Sequence, residues 1–170
     1  MLRMKSYRGM FLVCMLVVLG FSCSLVADGH SNRYSRQQCG DPFWISQVGD
    51  SYTYQVRRGS ADASSIDIEF KGFSGRDTVW ELISNCNVMV PYELVVSDLH
   101  ASEFKVVLVN EATGEVVTVV RTRENQQEYL VLVPGRYKVK LVGYAAAGQL
   151  SMRLDVPLGV IAVDRFSNRW

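Results

Sequence analysis

Asp67 and Glu69 stand two residues apart in the stretch SIDIEF, and Asp62 precedes them. Residues two apart on a strand share a face. Carboxylates so placed suit Ca²⁺, which gathers six to eight oxygens. A glycosidase also needs two carboxylates at a set separation. Alternating acids are equally the ordinary dress of a solvated strand face, so Asp62, Asp67 and Glu69 are candidates for a cation or for nothing chemical. Only two histidines exist, His30 and His100. Asp98 lies near His100, but no GxSxG turn and no HExxH pattern accompanies them. Phosphate-cradling GxxxxGK[ST] and dinucleotide GxGxxG patterns are missing as well. The expectation is a chain without catalysis and without a cofactor.

Aromatic residues are the richer class. Trp44, Tyr52, Tyr54, Trp80, Tyr92, Tyr129, Tyr137 and Tyr144 are spread through the chain. Exposed rings stack on sugars, and their polar tips reach hydroxyls. Trp80 and Tyr137 fall at core positions of alternating segments, and Tyr52 and Tyr54 share a face with Val56. Trp44 follows a polar segment and is the candidate surface ring for a ligand. Four cysteines are present: Cys14, Cys23, Cys39 and Cys86. The first two fall in the apolar leader, which leaves Cys39 and Cys86 as expected disulfide partners in an oxidising compartment. Such a bridge stabilises by about 4 kcal/mol on the chain-entropy model.

Net charge is +1, with both signs interspersed. That balance excludes nucleic acid and an anionic membrane surface as electrostatic partners. Arg57-Arg58-Gly59-Ser60 reads as a solvated basic turn. Lys138 and Lys140 read as the wet side of a strand, where lysine discourages edge pairing.

The elements that must position these residues are strands. Ile66, Ile68 and Phe70 alternate with polar neighbours, as do Tyr137, Val139 and Leu141, and Leu150, Met152 and Leu154. Period two over five or more residues marks a strand with one wet face. FKVVLV (residues 104–109), VVTVV (116–120) and YLVLV (129–133) are apolar on both faces, as central strands are. Thr113-Gly114, Pro134-Gly135 and AAAG (145–148) supply the turns between them. No stretch has helical spacing. The expected fold is all-β: a single antiparallel β-sandwich, jelly-roll-like, of about eight to ten strands over residues 43–163. Residues 28–42 read as a polar linker and 164–170 as a short polar tail.

Arg3, Lys5 and Arg8 precede an apolar run, MFLVCMLVVL, and polar sequence begins at Asp28. That order is the layout of a secretory signal over residues 1–27. Three endings stay open. A peptidase cuts after Ala27. Or Cys23 is lipidated: the stretch resembles a bacterial lipobox, with small Ser22 before the cysteine and Leu19 four residues before it. Or residues 10–27 remain as an anchor, near the short limit of the roughly 17–25 residues a span needs. Each puts the folded part outside the cytoplasm, with membrane contact only through a lipid or the retained anchor.

The blocks GRDTVWEL, ASEFKVVLVN, GEVVTVV and VPGRYKVKLVG together resemble a small β-sandwich domain of secreted proteins and lipoproteins of bacteria. The resemblance covers about residues 68–156, and SNCNVMVPYEL departs from it by carrying Cys86 and Pro91. It implies a sandwich and brings no catalytic residues with it. The function expected is that of a non-catalytic, extracytoplasmic interaction or structural module of the cell envelope, with an envelope protein or a glycan as partner. A carbohydrate-binding module, or an enzyme assembled from scattered carboxylates, are the alternatives.

Overall fold

The computed structural model describes residues 33–120 and 126–167. The expected signal segment, with Cys23 and Ala27, lies outside the described residues. The fold is all-β and antiparallel, with nine strands in one unclosed sheet. They are β1 (Ser51–Thr53), β2 (Val56–Ala61), β3 (Ser65–Ser84), β4 (Val88–His100), β5 (Glu103–Asn110), β6 (Val116–Val120), β7 (Gln126–Leu132), β8 (Gly135–Leu154) and β9 (Val160–Asp164).

Two 20-residue strands, β3 and β8, pair along their whole length, from Ser65↔Arg153 to Ser84↔Gly135. All other strands attach to this ladder in two stretches. The first half of β3 takes β2, and the second half of β8 takes β4 and then β7. The second half of β3 takes β1 and β9, and the first half of β8 takes β5 and then β6.

Between the two stretches the strands change course at one level. The β3–β8 register shifts between Phe70 and Gly75, and the β4–β8 register shifts between Ser97 and His100. Bulges of this kind bend a strand. Asp98 and Ala145 sit here with φ of 50° and 51°, in the left-handed region. Gly75 faces Gly143 across the ladder. Gly75 has φ +120°, and a Cβ on it would strike the Ser51 carbonyl of β1. A Cβ on Gly143 would press the Phe73 ring at 2.8 Å. Gly75→Ala is therefore expected to cost about 1–3 kcal/mol, from backbone strain alone, read as a lowered urea midpoint with unchanged slope.

One apolar core takes its residues from both stretches. Ile66, Ile68, Leu94, Leu150 and Met152 come from the first, and Trp80, Leu82, Val106, Val139 and Leu141 from the second. Phe70 stacks on Phe104 with centroids 5.1 Å apart, joining the two. Trp80 is fully buried, and its indole N–H donates to the Asp62 carbonyl at 2.7 Å.

The segment expected to be a linker is folded from Tyr34 onward. Two five-residue helices, α1 (Arg36–Gly40) and α2 (Pro42–Ser46), lie on the outer face of β5 and β8. Their caps explain them. Ser35 and Gln38 form a reciprocal capping box, and Asp41 accepts from the Phe43 N–H at 2.9 Å with Pro42 at the first helical position. Cys39, Ile45, Val107, Val109 and Val142 close a second, small core beneath them. The expected polar tail likewise departs from expectation, because Phe166 is buried.

Candidate functional site

Three places concentrate polar chemistry. The first lies under α2. Lys140, on the helix-covered face of β8, is fully buried. Its ammonium donates to the carbonyls of Ile45 and Gln47, both at 3.0 Å. A cation at the last carbonyls of a helix satisfies groups that have no intrahelical partner. Burial pushes Lys140 down to about 8, with the nearby Asp50 carboxylate opposing and Arg76 adding to the fall. Asp50 accepts from the Thr78 N–H at 3.0 Å and the Thr78 hydroxyl at 2.6 Å. Arg76 donates to Gln47 Oε1 at 3.1 Å, and burial lowers its affinity for its proton.

This arrangement corrects two readings. Lys140 is not on a wet face, because α1 and α2 cover it; Lys138 is mostly covered too and pairs with Glu111 at 2.7 Å. Trp44 does not stand free on the surface. It is half-buried, its ring faces the Arg76 guanidinium at 4.6 Å, and Tyr34 meets it edge-on at 6.4 Å. A ring so occupied offers little surface to a sugar.

The second place is inside the core. Asp77, fully buried on β3, pairs with Arg57 of β2 at 3.4 Å and accepts from the Tyr54 hydroxyl at 2.9 Å. The Arg57 guanidinium lies 3.6 Å from the Phe166 ring centroid and donates to the Phe166 carbonyl. Burial, and then the Asp77 charge, push the Tyr54 hydroxyl well above its ordinary range, so it remains a donor. The basic segment belongs to a strand rather than a turn: the Arg57 side chain is buried, while Arg58, Gly59 and Ser60 are exposed.

The third place is the outer face of β2, β3, β8 and β4. Arg58, Asp67, Glu69, Ser97, Gln149 and Ser151 line an open hollow of about 380 Å³ there. Glu69 and Gln149 are register partners, as are Asp67 and Ser151. Asp67 and Glu69 thus do share a face, and Glu69 also pairs with Lys71 at 3.5 Å. Asp62 is apart from them in role. It closes the β2–β3 turn, accepting from the N–H and hydroxyl groups of Ser64 and Ser65 at 2.7–3.0 Å. Those bonds hold its carboxyl at about 2. Among the described residues no three potential metal ligands converge, so the structure does not assemble the calcium set.

The structure holds Cys39 and Cys86 as separate thiols. Cys39 is on the buried side of α1, packed with Val107 and Val142, whereas Cys86 lies in the β3–β4 turn beside Gly159. Burial pushes the Cys39 thiol up to about 11, which keeps it protonated and inert at neutral pH. His100 is exposed at the bend, opposite Ala147, and Asp98 lies in the same bulge.

No family model matches the chain, and no curated protein matches it in sequence.

Proposed function

We propose that this chain is an exported, non-catalytic β-sandwich that serves as an interaction or structural module of the cell envelope. The bend shared by β3, β4 and β8, and the main core fed from both stretches, support the sandwich reading. The basic start and short apolar run support export. One observation carries the non-catalytic part. The groups with the strongest chemistry are each spent on holding one segment to another: Lys140 on α2, Asp77 on Arg57 and Tyr54, Asp62 on its turn.

Intact mass and N-terminal peptide mapping of the chain from its native membranes test this reading. A lipid on Cys23, or a new N-terminus near Asp28, is the expected result. An intact Met1 on cytoplasmic protein, or hydrolysis abolished by a point substitution, would overturn it.

A second reading, glycan binding, is favoured by the hollow on the outer face. Its acidic and basic side chains are mixed, and Gln149, Ser151 and Ser97 offer amide and hydroxyl partners to a neutral polyol. Glycan-array binding that falls with Gln149→Ala, and not with Trp44→Ala, would favour it over a protein partner.

A further inference from the structure

We propose that two copies of this chain pair edge to edge through strand β7. It ends the path of the sheet, and its single ladder runs to β4, from Val88↔Leu132 to Leu94↔Gln126 without a bulge. Among the described residues nothing pairs with its other side, so alternate N–H and C=O groups face outward.

Natural edge strands are blunted by shortness, bulges, lysine, proline or a covering segment. Three other edges show such devices, and the further edge β9 is only five residues long. β1 has three residues. β2 carries the exposed Arg58 and a glycine at φ +131°. β6 has five residues, and its ladder is broken by a register shift. β7 has seven residues and neither lysine nor proline. Its one charge, Glu128, accepts from the Tyr92 hydroxyl at 3.3 Å.

Its outer face is apolar. Tyr129 is 58% exposed, Val131 69% and the neighbouring Met89 56%. Val133, just past the strand, extends the patch. An exposed, flat, apolar edge of this length is a template for another strand.

Charge selects the occupant. The run 129–133 has no charge with which to hold an acidic or basic peptide. A second copy needs none. Antiparallel self-pairing centred on Leu130 sets Tyr129 opposite Val131 of the other copy, twice, and Glu128 opposite Leu132. Registers centred on Tyr129 or Val131 also keep the apolar residues on one face and oppose no two like charges. Aromatic and β-branched cross-strand pairs are favourable, and such a two-fold contact closes on itself. Its area is small, so the dimer is concentration-dependent.

The test is sedimentation velocity on the chain as the cell processes it, over a concentration series, beside Val131→Lys. The wild type is expected to pass from monomer to dimer, and Val131→Lys to stay monomeric with an unchanged melting temperature, since that side chain is exposed. Amide exchange over residues 128–132 should slow with concentration only in the wild type. A wild type that stays monomeric throughout overturns the proposal. So does a dimer that survives Val131→Lys, or a β7 already protected in the monomer, which would mean another part of the chain covers it.

Discussion

Asp77→Ala is expected to lower stability by about 3–5 kcal/mol, the usual result of removing one partner from a buried ion pair. The substitution leaves the Arg57 guanidinium buried without the carboxylate 3.4 Å away. It also takes the acceptor from the Tyr54 hydroxyl. The three residues lie on or beside β1, β2 and β3, and Phe166 packs on the same guanidinium. The damage should therefore reach the chain end, read as faster proteolysis after Arg165. Urea denaturation measures the first effect. A companion variant separates the pair's worth from the penalty of leaving it half-made. Arg57→Met with Asp77→Leu removes both charges and keeps apolar volume, and is expected to regain most of the loss. If the double variant were as unstable as the single, the pair itself would be a net source of stability.

The strands were legible because alternation reports which face is buried. Ile66, Ile68 and Phe70, and Tyr137, Val139 and Leu141, are in the core as their spacing indicates. Alternation says nothing of what covers the polar face. That is why Lys138 and Lys140 read as wet, though α1 and α2 cover Lys140, and Lys138 is mostly covered and pairs with Glu111. Those helices have five residues each, too few to display a 3.6-residue period. Their signal was in the caps instead: Ser35-x-x-Gln38, and Asp41 followed by Pro42. The Arg57–Asp77 pair joins residues 20 apart; Arg57 is registered opposite Phe70, and Asp77 lies further along β3, past the register shifts between Phe70 and Gly75, which no local pattern encodes. The candidate residues of the outer face were half legible. Asp67 and Glu69 share a side as period two requires, but Gln149, Ser151 and Ser97 reach them through pairings that no local pattern encodes.

Lys140→Ala is expected to cost about 2–5 kcal/mol, the range for emptying a long buried side chain. It also strips the Ile45 and Gln47 carbonyls of their donor. The loss should centre on residues 33–50, seen as faster amide exchange in α1 and α2 ahead of the strands. Lys140→Met, which refills the volume and leaves the carbonyls unmet, should fall between. The pH dependence identifies the amine directly. In the folded chain Lys140 titrates at about 8, against 10.5 for an ordinary lysine, because burial disfavours its charge. Between those values the unfolded chain holds a proton that the folded chain has released. Stability from this group therefore rises with pH across about 8 to 10.5, and is lost as pH falls through 8. A neutral amine still has two N–H donors, which match the two carbonyls, so the helix stays capped while the buried charge disappears. The groups facing Lys140 are Asp50, Arg76, Lys138 and Glu111. The variants retain all four, so subtracting Lys140→Met from wild type isolates the amine. The stability gap between them should widen from pH 8 to 10.5. A gap that narrows over that range would mean that the ammonium, rather than the amine, is the form the folded chain prefers.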